Sequence, residues 1–385
     1  MHFGIFRVHQ YKCIMKKLNL ALICIIILPL FSFHSPSPKT SIKVALILDT
    51  SNSMDGLIDQ AKSQLWSVVN ELSTAKCKGE TPDLEIALYE YGNDRLPMRE
   101  GYIRLVTPFT GDLDLISEKL FALRTDGGSE YCGQVIGMSL KELDWEEYPK
   151  DLKLIFIAGN EPFDQGNVSY REVCKTAREK DITINTIFCG NFHEGVKTQW
   201  KDGAYIGGGD YMNIDQDSRY IYIKSPHDDR IMELNRKLNK TYVAYGARGS
   251  ALYSRQAKQD ENAYGLSQGT AMKRAASKSK MAYKNTQWDL VDAVEEDEAI
   301  LESLATNDLP DEMKTMSLEE KQKYITEKQQ ERKIIQKEIN DLSKQRDKYV
   351  ADKQVEDGSN MLDKAIIQAV KKQAIVKNFE FVEEE

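Results

Sequence analysis

Four segments, KVALILD (43–49), LEIALYEYG (84–92), LKLIFIAG (152–159) and ITINTIFCG (182–190), are short, near-continuous apolar runs rich in β-branched or other apolar residues. A strand with one solvated face alternates apolar with polar residues, so a strand without that alternation must be covered on both faces, as in a parallel sheet. Parallel neighbours need crossover connections, and the intervening sequence supplies them. Leu57, Ala61, Leu65, Val68 and Leu72 recur at helical spacing and make one apolar stripe. Ser169 and Glu172 in SYRE form a capping-box pattern that opens another helix. GYIRLVTPF (101–109) reads as a further strand, sent to an edge by Pro108, which has no N–H to donate. The pattern predicts an α/β fold over residues 41–224, a doubly wound, mostly parallel sheet whose ligands sit at the carboxyl ends of its strands.

Beyond residue 225 the composition changes. DDRIMELNRKLNKTYVAYG reads as one more helix, and a polar, Ala/Lys/Gln/Ser-rich stretch without strand signals follows, so residues 225–310 form a helical and polar region. Residues 317–353 contain no Gly or Pro and are built from strong helix formers. Leu318, Ile325, Ile335, Ile339, Leu342 and Tyr349 fit a seven-residue register that Lys328 and Arg332 interrupt. Two readings stand: a coiled coil that self-associates, and a solvated helix packed on its own chain. Residues 359–385 read as a short helix and tail. The fold class is therefore α/β with a C-terminal α-helical extension, without internal repeats.

Ahead of the first strand, Lys16 and Lys17 precede an apolar run from Leu18 to Phe33. Residues 1–35 read as a signal peptide or N-terminal anchor, with the natural start at Met15. The run falls short of the roughly 20 apolar residues of a spanning helix, which favours cleavage. Bulky Phe31 and Phe33 stand where small residues are wanted, so an uncleaved anchor through residues 18–33 stays open. Either way the chain is expected to be exported and periplasmic or envelope-associated. A net charge of −8, with no basic stripe, argues against a nucleic-acid partner.

The first strand ends in Asp49, and hydroxyls follow at alternate positions, Ser51 and Ser53. One short loop thus presents hard oxygen atoms at a strand tip, which suits a divalent cation; the alternative is that the three residues cap the following helix. D-x-S-x-S resembles the first motif of the metal-ion-dependent adhesion site (MIDAS) of von Willebrand factor type A (VWA) domains. TDGGSEYCGQVI resembles the family's second loop, which places Ser129 at its threonine ligand, with Thr125 and Glu130 as nearby substitutes. IFIAGNEPF resembles the third loop and aligns Glu161-Pro162 with its E-P, but Gly159 then stands where the family has an aspartate. Asn160 or Glu161 would have to compensate, or the site would lean on a partner's carboxylate. The segments EYCG, IAGNEPFDQG and GAYIGGGDYMNID also look like a subgroup of bacterial exported proteins with this domain. The resemblance implies an exported protein that binds a protein partner through Mg²⁺, or Mn²⁺ or Ca²⁺. Asp49, Ser51, Ser53 and Ser129 would hold the cation, and a partner's Asp or Glu would complete it.

Cysteines in an exported chain are expected to pair. The topology puts Cys132, Cys174 and Cys189 at the site end of the sheet and Cys77 at the other, so one bridge among the first three is expected, with Cys77 free; the alternative is that all four are reduced and buried. GLSQG (265–269) matches a nucleophile elbow but follows no strand and precedes no histidine, so it reads as a loop or helix boundary. Cys189 and His193 lack a second ligand pair for zinc. IGGGD (206–210) reads as a flexible turn. No base and nucleophile stand out, and the chain is not expected to be an enzyme. Two further alternatives are an assembly component working through its C-terminal helices and a membrane-anchored subunit facing a cytoplasmic motor.

Overall fold

In the computed structural model the described residues are 39–146, 148–214, 222–357 and 362–381. The apolar run 18–33 and the tail 382–385 lie outside them. Among the described residues no helix is long and apolar enough to cross a membrane. Residues 39–385 make up one compact unit, so the changes in composition near residues 225 and 317 fall inside it.

The strands are β1 (Ser41–Asp49), β2 (Ala75–Cys77), β3 (Asp83–Tyr91), β4 (Ile103–Thr110), β5 (Leu152–Gly159), β6 (Thr183–Cys189), β7 (Gly208–Ile214) and β8 (Phe379–Phe381). Six of them form one sheet in the order β4-β3-β1-β5-β6-β7, parallel except for β4, which runs antiparallel to β3 at the edge. This is a doubly wound α/β sheet, and its order reverses at β1 and β5, where ligands of such sheets bind. Its two faces are read directly from β1. Ile42, Val44, Leu46 and Leu48 enter one apolar cluster, while Ala45 and Ile47 enter the other.

The helices are α1 (Ile58–Leu72), α2 (Leu113–Ala122), α3 (Cys132–Glu142), α4 (Tyr170–Glu179), α5 (Phe192–Lys197), α6 (Trp200–Ile206), α7 (Asp228–Asn239), α8 (Gly249–Leu266), α9 (Gln268–Lys278), α10 (Leu290–Glu296), α11 (Ile300–Ser303), α12 (Leu318–Asp357) and α13 (Leu362–Val376). α3, α4 and Trp200 of α6 cover the Ala45 face. The Ile42 face is covered by α1 and α2 together with Ile231 of α7, Ala271 and Met272 of α9, Ile335 and Ile339 of α12, and Ile366 and Val370 of α13. Residues expected to form an appended extension thus complete the core of the sheet domain.

The 40-residue α12 confirms the long helix, and Arg332 shows why its heptad register breaks. Its guanidinium is buried, donating to Asp289 at 2.7 Å and Asp292 at 2.6 Å, to the Thr241 carbonyl at 2.8 Å, and lying 4.1 Å from the centre of the Tyr242 ring. The seam residues Ile325, Ile335 and Ile339 are buried against the helix's own chain. Burial, then neighbouring Asp289, push Asp292 up to about 7, against the pull of Arg332. A carboxyl raised above its unfolded value contributes stability that is full below about pH 4 and fades as the pH rises through 7. Asp292→Asn should therefore flatten part of the decline in stability between pH 5 and 8, as read from urea midpoints.

IGGGD and the cysteines differ from expectation, while GLSQG agrees with it. IGGGD runs from the end of α6 into edge strand β7, pairing with β6 from Gly208 onward, and is not a turn. GLSQG is the boundary between α8 and α9, where the Ser267 side chain caps α9 by accepting from Thr270 N at 3.0 Å. The expected bridge is absent: Cys132, Cys174 and Cys189 are free and buried, as is Cys77. Cys189 points into the Ile42 face while Cys132 and Cys174 pack in the opposite one, so the sheet separates them. The Cys132 thiol instead lies 3.6 Å from the Tyr91 hydroxyl.

Candidate metal centre

Asp49 is the last residue of β1, in register with Tyr91 of β3 and one position past the Leu48–Ala158 pair of β5. Three loops meet over it. Thr50 N donates to the Tyr91 carbonyl at 2.9 Å, Asp126 N donates to the Thr50 carbonyl at 3.0 Å, and Asn93 Nδ2 reaches the Arg124 carbonyl at 3.0 Å. These bonds tie the loop after β1 to the loop after β3 and to the segment ahead of α3.

Asp49 is fully buried. Its Oδ1 accepts from Ser51 N at 2.8 Å, whereas Oδ2 has no hydrogen-bond partner. A buried carboxylate oxygen without a partner costs on the order of 1–3 kcal/mol or more, so this atom calls for an explanation. The Ser51 and Ser53 hydroxyls lie 2.8 Å apart, and Ser53 Oγ donates to Asn160 Oδ1 at 2.9 Å. Asn160 Nδ2 donates back to the Ser53 carbonyl at 3.3 Å, closing the crevice between the loops after β1 and β5. The capping alternative does not hold: the short 3₁₀ turn after Ser51 and helix α1 both start without a side-chain cap.

From the third side comes Glu130, buried just ahead of α3, whose N–H donates to Gln165 Oε1 at 3.3 Å. Burial, then Glu161, push Glu130 up to about 7. Burial is also the first reason that Asp49 rises to about 8, with its bonds to Ser51 opposing and Glu130 and Glu161 adding to the rise. Thr125 is drawn away, donating to Asp55. Ser129 is half-buried and makes no hydrogen bond among the described residues. The structure thus gathers Asp49, Ser51, Ser53, Asn160 and Glu130, with Glu161 close enough to act by charge.

Gly159 has a steric reason. A Cβ there would run into the Tyr91 hydroxyl and lie 3.0 Å from Trp200 Cη2 and 3.1 Å from Asp49 Cβ. The Tyr91 hydroxyl itself donates to the Ala158 carbonyl at 3.2 Å. Tyr91 had no motif to mark it; its only sequence signal is the glycine that follows it at the end of a buried strand. Among the described residues no three Asp, Glu, His or Cys side chains converge as a metal cage, so hydroxyl oxygens would have to share the coordination of a cation here. The unpartnered Asp49 oxygen, two adjacent hydroxyls and an amide oxygen fit a hard divalent ion.

No family model matches the chain, and no curated protein matches it. Among solved structures it is similar to the VWA domain of SpRpn10, at 13% identity over 46% of this chain and 89% of that one, with a TM-score of 0.36. It is similar to BatB from Bacteroides thetaiotaomicron, at 15% identity over 57% of this chain and 100% of that one, TM-score 0.34. A third similar structure is proximal thread matrix protein 1 from the mussel byssus with a zinc-occupied MIDAS motif, at 13% identity over 51% of this chain and 44% of that one, TM-score 0.36.

Proposed function

Taking the chain as one that carries a von Willebrand factor type A-like domain, we propose that it is a binding module that engages a protein partner through a divalent cation, Mg²⁺ or Mn²⁺. Asp49, Ser51 and Ser53 are its ligands, with Ser129 offered from the loop ahead of α3. The observation that carries this reading is Asp49 Oδ2, buried without a partner beside the paired hydroxyls of Ser51 and Ser53. Bound there, a cation supplies an exchangeable position that a partner's Asp or Glu carboxylate completes. Asn160 holds Ser53 toward that position from across the crevice. The three tied loops fix the rim so that little order has to be gained on docking. An extracytoplasmic location follows from the apolar run 18–33, and millimolar divalent cations outside the cytoplasm would fill even a weak site. Binding is favoured over catalysis because no paired base and nucleophile stands out in the sequence.

The test is thermal unfolding of the full chain with Mg²⁺, with Mn²⁺ and with chelator, beside Asp49→Ala. Cation at 100 times its dissociation constant should raise apparent stability by about 2.7 kcal/mol. Asp49→Ala should erase that rise. A wild-type protein indifferent to both cations would sink the proposal.

A further inference from the structure

Two glycines beside Asp49 make opposite uses of their missing side chains. At Gly159, on the β5 side, the space is already filled by Tyr91, Trp200 and Asp49 itself, all fully buried, so no carboxylate can be placed there without displacing them. At Gly92, on the β3 side, the backbone is left-handed with φ +76°. A Cβ there would lie 2.7 Å from Asp49 Oδ1 and 2.9 Å from Glu130 Cγ, so these two acidic side chains share the cradle that this glycine leaves open.

Glu130 is only 6% exposed, and among the described residues no Lys, Arg or His forms a salt bridge with it or with Asp49. Two neighbouring buried carboxylates without a positive partner are costly unless a cation joins them. The unpartnered Asp49 Oδ2 independently marks the same place as made to receive one.

We propose that Glu130 is a resident metal ligand, standing in from the β3 side for the carboxylate excluded at Gly159. This rests on the cation-dependent reading above and deepens it. Asp49 and Glu130 together match the charge of one divalent cation, so the site retains its ion before any partner arrives. The exchangeable position is left on the outer side, toward Ser53, Asn160 and half-buried Glu161.

The experiment titrates Mn²⁺ alone into the full chain by calorimetry, comparing wild type with Asp49→Ala, Glu130→Gln, Glu130→Asp and Glu161→Gln. Glu130→Gln should weaken Mn²⁺ binding about tenfold or more, and Glu161→Gln by less than about threefold. Glu130→Asp, which keeps the charge on a shorter arm, should fall between. Unfolding in chelator checks the fold, since Glu130→Gln should unfold no earlier than wild type once a buried like charge is removed. Wild-type binding that Asp49→Ala destroys and Glu130→Gln leaves intact would refute the role of Glu130 while sparing the cation reading. No Mn²⁺ binding by the wild type would overturn both.

Discussion

A chain ended after residue 316 is expected to lose its cooperative fold. Ile335 and Ile339 of α12, Ile366 and Val370 of α13, and Phe379 of β8 are buried in the same cluster as Ile42 and Leu46 of the central strand. Burying a large apolar side chain is worth roughly 1.5–3 kcal/mol. Five of them are therefore worth on the order of 10 kcal/mol, comparable to the 5–15 kcal/mol by which whole domains are stable. The cut also removes Arg332 and leaves the buried carboxylates of Asp289 and Asp292 without their cation. Circular dichroism and urea unfolding of the truncated chain would check this. A sharp transition within about 2 kcal/mol of the intact protein would mean that the sheet domain is self-sufficient and the C-terminal helices an accessory.

The second large effect is expected at Arg274. This guanidinium is almost completely buried between Asp114 of α2, at 2.6 Å, and Asp260 of α8, at 2.7 Å. Asp260 also holds buried Lys278 at 2.7 Å, and Asp114 accepts from the Tyr283 hydroxyl at 2.6 Å. Burial alone would raise Asp260, but Lys278 and Arg274 outweigh it and hold the carboxyl well below its usual range. Removing one member of a buried ion pair costs about 3–5 kcal/mol, because the partner charge stays buried. Arg274→Met should cost that much in urea unfolding, and adding Asp114→Asn should return part of it. Equal losses in the single and double variants would show that Arg274 acts through packing and not through charge.

The sheet was legible because strands buried on both faces are mostly apolar, and β1, β3, β5 and β6 keep that character even though Lys43, Glu90, Lys153, Asn185 and Thr186 are buried among them. β7 was not, since its opening glycines mimic a turn and only pairing with β6 makes it a strand. The cover of the Ile42 face escaped for a different reason. α9 packs through Ala271, Met272 and Ala275 while burying Arg274 and Lys278, so its inward face carries the charges by which solvated faces are normally recognised. Arg332 misleads in the same way within α12. At the candidate site, the gathering of Asp49, Ser51 and Ser53 was legible because they sit on one loop, and that of Asn160 because it borders the Gly159 departure. The steric reason for Gly159 was hidden. It depends on a tyrosine ring from one strand filling the space beside another, which no spacing within a motif encodes.

The smallest ladder in the protein bears on how the chain is made. β8 lies at the far C-terminal end of the described residues and pairs antiparallel with β2, Ala75 opposite Phe381 and Cys77 opposite Phe379. β2 therefore waits for a segment far downstream in the chain before its neighbourhood is sealed. Contacts so distant in sequence make for slow folding and leave intermediates with uncovered apolar surface. Closure of this two-stranded ladder is therefore expected to be among the last steps of folding.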